Sequence, residues 1–225
     1  MTLRMDFDHD GVLVGKNVVP DDLISRLRTD FDAFAAGRAG SRAFDISQEL
    51  RDLIGPRGAM GAFALRLAGK PTRPVRVLFF DKTLESNWAV PWHQDRTIAV
   101  KARIELHGFG PWSIKDGIVH VEPPVCVLDG TLTLRLFIDE CGEDNGPLEV
   151  AIGSHRHGRV PSAGVADIVR RSVIFPGIGH AGDVLAMRAL AIHGSKRARW
   201  PTHRRVLHVD YASIDLPPPL EWALS

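Results

Sequence analysis

The stretch from Thr131 to Asp139, TLTLRLFID, constrains this chain more than any other. Leu132, Leu134, Leu136 and Ile138 recur at every second position, with Thr133, Arg135 and Phe137 between them. A period of two belongs to an extended strand, because successive side chains leave opposite faces of the backbone. VRVLFF (75–80), DVLAMR (183–188) and RRVLHVDYA (204–212) read as further strands, with Gly and Pro punctuating between them. Helical spacing is concentrated near the N-terminus. Leu23, Ile24, Leu27, Phe31 and Phe34 share one helical face, starting at Pro20-Asp21 and ending at Gly37. DISQELRDLIGP predicts a shorter helix stopped by Gly55-Pro56, and VADIVRRS a third. Helices first and short strands afterwards predict a mainly β (α+β) fold, an antiparallel barrel or jelly roll with helices packed outside.

The length of 225 residues, 44% of them hydrophobic, suffices for one sizeable core, so a single domain over 1–225 is expected. A net charge of +1 points to neither nucleic acid nor a membrane surface. Asp6, Asp8 and Asp10 argue against a cleavable leader, and no apolar run has the length of a membrane span. Cys126 and Cys141 form no disulfide framework and no CxxC pair, so a reducing, cytoplasmic setting is expected. GPRGAMG matches neither a P-loop nor a dinucleotide fingerprint.

The word PWHQD places His93 and Asp95 two apart after an apolar run. Alone it is weak: chance gives roughly one HxD word in a chain of this composition, and His208-Val209-Asp210 is a second. The chemistry adds a requirement. A facial triad of two His and one carboxylate binds Fe(II) and leaves open positions. Residues two apart on an extended segment point the same way, so His93 and Asp95 can supply two ligands. The third must be a distant His, and His193, after the strand-like DVLAMRALAI, is the best candidate. If HGSKRARWPTHR is a hairpin centred near Ala198 and Arg199, then Arg204 lies opposite His193 and Ser195 shares its face. A metal ligand, a hydroxyl and a guanidinium on one surface suit a small dicarboxylate.

PWHQD, then TLRLFIDECGEDNGPLEVAIGSH, then HGS with an Arg eleven residues after its His, together resemble the phytanoyl-CoA dioxygenase family. DGVLVGKNVVPDDLISRL is also similar to that family's opening strand and helix, so the likeness spans most of the chain. The resemblance implies a double-stranded β-helix with helices outside and chemistry that depends on Fe(II), 2-oxoglutarate and O2. It implies that His93, Asp95 and His193 are the catalytic iron ligands and that Arg204 and Ser195 hold the distal carboxylate of 2-oxoglutarate. The expected reaction is hydroxylation of a small organic molecule, anionic in one reading, with release of succinate and CO2. Three features depart from the family: Arg135 stands where Trp is frequent, Ile152 where Pro precedes GSH, and the segment 101–124 is longer. Two rivals stand beside this reading: a cupin-like metalloenzyme that does not use 2-oxoglutarate, and a non-catalytic binding module on the same fold.

The remaining polar residues divide as follows. Arg205 competes with Arg204 for the carboxylate, and spacing favours Arg204. Arg76 and Arg135 are charged residues inside apolar strands. They are expected in a substrate pocket, with a buried ion pair as the alternative. Trp92 is a further candidate pocket wall, as core packing is its alternative. His208 and Asp210 read as strand residues or as hydrogen-bond partners behind the ligands. His155 and His157 read as loop braces. The basic run from Lys196 to Arg205 reads as a solvated rim. Neither the substrate's identity nor the oligomeric state is legible.

Overall fold

The computed structural model describes residues 3–34, 40–42 and 46–224, apart from the side chains of 30, 32–34 and 40–42. The expected helix end at Gly37 lies outside the described residues. In chain order the elements begin with α1 (Leu3–Asp10), β1 (Val12–Gly15), α2 (Asp21–Phe34), β2 (Gly40–Arg42), α3 (Gln48–Ile54) and α4 (Ala59–Ala68). Then come β3 (Arg73–Lys82), β4 (Val90–His93), β5 (Ile98–Val100), β6 (Trp112–Lys115), β7 (Ile118–Val121), α5 (Val125–Asp129) and β8 (Thr131–Phe137). The chain continues through β9 (Leu148–Ala151), α6 (Ser162–Arg171), β10 (Ile174–Gly177), β11 (Val184–Arg188), β12 (His193–Ser195) and β13 (Arg204–Ala212).

Two antiparallel sheets face each other in a jelly roll. The major sheet runs β1-β11-β8-β13-β3-β2 and the minor sheet β10-β9-β12-β4. The period of two in β8 sets this arrangement. Leu132, Leu134 and Leu136 join Val77, Phe79, Leu207 and Val209 on the outer face, where Ile24, Leu27 and Phe31 of α2 and Leu50, Leu53, Met60 and Phe63 of α3 and α4 cover them. Phe137 turns the other way, into an inter-sheet core with Val206, Leu148 and Val150. Both faces of β8 are therefore buried. Burying each large apolar side chain contributes about 1.5–3 kcal/mol, so these two layers dominate stability.

The helices join the sheet through satisfied ends. The Ser47 hydroxyl caps α3 by accepting from the Leu50 N–H. The buried Tyr211 hydroxyl donates to the carbonyl of Ile54, the last residue of α3. The long segment 101–124 contributes β6 and β7, which pair with each other, and β7 pairs with β5 to complete a third sheet. Asp116 and Gly117 both have positive φ at the tip of this hairpin, the backbone that a two-residue turn needs. Val100, Val121, Val127, Leu190 and Trp222 pack beneath it as a separate apolar cluster. Among the described residues no helix is long and apolar enough to cross a membrane.

Candidate active site

Between the two sheets lies a cavity of about 240 Å³ lined by Arg76, Phe80, His93, Asp95, Arg135, His193, Ser195, Arg204 and His208, among others. β4 and β12 are adjacent in the minor sheet, and His93 stands directly opposite His193. Asp95 follows just beyond the end of β4. Its two oxygens lie 3.7 Å from His93 Nε2 and 3.8 Å from His193 Nε2. One ligand atom from each of the three falls within 4.8 Å of the others.

Backbone carbonyls fix both rings. His93 Nδ1 is 2.8 Å from the Pro91 carbonyl, and His193 Nδ1 is 2.9 Å from the Ala191 carbonyl. A carbonyl only accepts, so each Nδ1 carries a proton and each Nε2 turns toward Asp95. Burial pushes the His193 pKa down to about 4, which keeps that ring neutral near pH 7. The hydrogen bond with Asp95 raises that of His93. Burial opposes ionisation of Asp95, but the His93 hydrogen bond and the nearby Arg76 charge outweigh it. They hold the carboxyl well below its usual range. Two imidazole nitrogens and one carboxylate on one side of a cavity are a donor set for Fe(II) with positions left open.

Gln94, between two of these residues, turns the opposite way. Its amide donates to the Gly158 and Leu190 carbonyls at 2.8 and 2.7 Å, and its oxygen accepts from the Val160 N–H at 2.8 Å. This pins the loop that carries Asp95. Sequence reading gave Gln94 no role, although its place inside PWHQD was the available signal.

The cationic end of the cavity is built across the two sheets. The expected hairpin between His193 and Arg204 does not form: β12 pairs with β4 and β9, whereas β13 pairs with β3 and β8. The segment 196–203 is a crossover from the minor to the major sheet, so Arg204 stands opposite Lys82 rather than His193. Ser195 and Arg204 nonetheless line the same cavity. Lys82, fully buried, links the two layers by donating to Ser195 Oγ at 3.2 Å and to the Lys196 carbonyl at 2.7 Å. Burial, then the neighbouring Arg204, push its pKa down to about 8. Arg204 Nη1 donates to the Gly146 carbonyl, and its buried Nε has no partner. Arg205 points elsewhere and makes a bidentate ion pair with Asp139, with bonds of 2.8 and 2.9 Å. Sequence reading missed Lys82 because it ended the strand at Phe80, two residues early. On β3, Arg76, Phe80 and Lys82 share one parity.

Arg76 lines the cavity as expected and also makes the alternative ion pair. Its Nε donates to Asp210 at 2.6 Å, and its Nη2 lies 3.8 Å from Asp95. Asp210 also accepts from Thr133 at 2.7 Å and from His208 Nε2 at 3.0 Å. Asp210 thus stands behind the cavity wall as the hydrogen-bond partner of His208, which itself lines the cavity. Trp92 is not a lining residue. It packs on the other side of β4 against Ala151, Val160 and Ile192, and Trp88 lines the cavity instead. The basic rim is largely neutralised by Lys196–Glu149, Arg199–Asp144 and His203–Asp81 pairs. His155 Nε2 donates to the Asp8 carbonyl and braces a loop.

The sequence pattern of the family described as Phytanoyl-CoA dioxygenase (PhyH) matches residues 7–206. Among curated protein sequences none matches. Several solved structures share the fold. AviO1 from Streptomyces viridochromogenes Tue57 has 21% identity and a TM-score of 0.67, covering 95% of each chain. The alpha-ketoglutarate-dependent carbocyclase SnoK from nogalamycin biosynthesis has 16% identity and a TM-score of 0.70, covering 96% of this chain and 85% of its own. EctD from S. alaskensis, in a structure with bound Fe, has 19% identity and a TM-score of 0.69, covering 97% and 80%.

Proposed function

The chain belongs to the phytanoyl-CoA dioxygenase family, and from that premise we propose that residues 1–225 form one oxygenase domain that hydroxylates a small organic molecule. Proteins of this family depend on Fe(II) and 2-oxoglutarate, and the His93, Asp95 and His193 donor set fits the iron. One observation carries the reading: that triad shares a single cavity with Ser195 and Arg204, and the buried Lys82 bonds Ser195 from behind the wall. In the presence of O2, bound iron and 2-oxoglutarate supply the oxidising chemistry, with succinate and CO2 as by-products.

The protein's own share is geometric. His93, Asp95 and His193 would hold the metal through two imidazole nitrogens and one carboxylate at the edge of the cavity. Arg204 offers a planar fork to the distal carboxylate of 2-oxoglutarate, and Ser195 and Lys82 donate beside it. This fixes the distance between the two ends of the co-substrate. The apolar faces of Phe80, Trp88 and Leu148 exclude water from the space between. A cavity of about 240 Å³ is small for a ligand site, which favours a compact substrate. The similar epimerase SnoN is crystallised with alpha ketoglutarate and nogalamycin RO, and EctD with 2-oxoglutarate and 5-hydroxyectoine, which supports a small-molecule substrate here. The two free cysteines fit a reducing compartment.

The test is succinate formation from 2-oxoglutarate under air with added Fe(II), measured with and without candidate substrates. Slow succinate release without substrate is expected, and Asp95→Ala should abolish it. A wild-type protein that binds Fe(II) and makes no succinate under any substrate panel would overturn the proposal.

A further inference from the structure

Arg135 is a buried cation in the cavity that the reading above leaves without an anion. It lies on the inner face of β8 and is 8% exposed. Its Nη1 donates to His208 Nδ1 at 2.9 Å, and its guanidinium stacks 5.2 Å from the centre of the Phe80 ring. Among the described residues no carboxylate lies within ion-pair distance of it. Two acids near it are already committed: Asp210 to Arg76, Thr133 and His208, and Asp95 to the triad. His208 must be neutral to accept from Arg135 while donating to Asp210. Burial and the nearby Arg204 charge lower the Arg135 pKa to about 10, so it still holds its proton at pH 7.

The charge count points the same way. Arg76, Lys115, Arg135 and Arg204 on the cavity wall, with Lys82 behind it, meet Asp95 at the wall and Asp210 and Asp81 behind it. Fe(II) and the 2-oxoglutarate dianion cancel each other. Positive charge therefore remains even where Lys82 has lost its proton. In the proposed reading both carboxylates of 2-oxoglutarate would have other partners, the iron for one and Arg204 and Ser195 for the other. An unpaired buried guanidinium is strongly unfavourable unless a ligand completes it.

We propose that Arg135 anchors a carboxylate or phosphate group of the prime substrate, so that the oxygenase acts on a small anionic molecule. The inference rests on the oxygenase reading and deepens it. His208 is the positioning residue: it receives one arm of the guanidinium and leaves the others directed at the cavity. Arg135 occupies the place where the family often has a flat indole, so the same wall carries charge in this chain.

The experiment uses the full chain, 15N-labelled at arginine, loaded with Zn(II) and the unreactive co-substrate analogue N-oxalylglycine. Side-chain Nε–H signals are assigned by their loss in Arg135→Lys and Arg204→Lys. N-oxalylglycine should shift the Arg204 signal. Acetate, and in a separate titration inorganic phosphate, should then shift the Arg135 signal saturably. Failure of Arg204 to respond to N-oxalylglycine would count against the oxygenase reading alone. If Arg135 responds fully to N-oxalylglycine and no further to acetate or phosphate, its anion is the co-substrate's and the proposal is overturned. If Arg135 responds to none of them, the proposal is also overturned.

A second readout does not depend on the metal. In anion-free buffer, Arg135→Met should raise the thermal midpoint by a few degrees, because it removes an unpaired buried charge. Acetate and phosphate should stabilise the wild type but not the variant. Equal stabilisation of both proteins would contradict an anion site at Arg135.

Discussion

Lys82 gives the most searching test of the electrostatics. Its amine is fully buried, bonded to Ser195 Oγ and the Lys196 carbonyl, and set 5.5 Å from the centre of the Trp88 ring. Burial, then Arg204, lower its pKa from 10.5 to about 8. The folded pKa lies below the unfolded one, so between pH 8 and 10.5 the unfolded chain holds more protons. Stability contributed through this group therefore rises with pH across that window. A shift of about 2.5 units corresponds to roughly 3.4 kcal/mol at 1.36 kcal/mol per unit, of which about 2 kcal/mol is recovered between pH 7.5 and 9.5. Buried Cys141 and Tyr211 have raised pKa values and work in the opposite direction at high pH. The informative quantity is thus a difference of differences. Urea unfolding of metal-free wild type and Lys82→Met at pH 7.5 and 9.5 should show the wild type gaining about 2 kcal/mol relative to the variant. Saturating N-oxalylglycine and Zn(II) should flatten that gain, because a bound carboxylate restores the Lys82 proton. Parallel pH profiles in the two proteins would refute a charged, unpaired Lys82 and the cationic end built on it.

Other perturbations separate the roles of neighbouring residues. Arg204→Met should weaken N-oxalylglycine binding by roughly 2–5 kcal/mol, about thirty- to several-thousand-fold by calorimetry, with metal binding kept. Arg205→Met should leave that affinity within a few-fold and instead lower stability through its lost Asp139 pair; the reverse pattern would exchange the two assignments. Asp95→Ala should lose Fe(II) in metal analysis yet keep a cooperative fold, since Arg76 retains Asp210 at 2.6 Å. Gln94→Leu should strand the Gly158 and Leu190 carbonyls and the Val160 N–H, with metal affinity falling about 10–100-fold; unchanged affinity would deny Gln94 its positioning role. Gly146→Ala should weaken co-substrate binding more than metal binding. Gly146 has φ +59°, and an added Cβ would lie 2.7 Å from the Lys196 carbonyl that Lys82 uses.

The jelly roll was legible wherever one strand carried its own pattern. The parity of β8 separates Leu132, Leu134 and Leu136 from Arg135 before any partner is known, because a pleated strand has only two faces. The same parity, applied to β4, would have put Trp92 opposite His93, and applied to a longer β3 would have found Lys82. What sequence could not supply was pairing. Symmetry of residues about Ala198 and Arg199 is equally compatible with a hairpin and with a crossover between facing sheets. Ser195 and Arg204 line one cavity in either case, so the site residues could be named while the geometry joining them was misread. The hairpin from β6 to β7 escaped notice because its strands are four residues each and pair beyond the main sheets. The division of labour between Arg76 and Arg135 was also invisible, since it depends on Asp210 lying across from Arg76 in β13.

The most direct measurement is anaerobic visible spectroscopy of the metal-free protein titrated with Fe(II) and 2-oxoglutarate. A weak charge-transfer band should grow only when both are present, saturate at one Fe(II) per chain, and vanish in Asp95→Ala. Stoichiometric retention of zinc, with no band and no succinate on later exposure to air, would contradict the assignment of His93, Asp95 and His193 as an iron centre that works with 2-oxoglutarate.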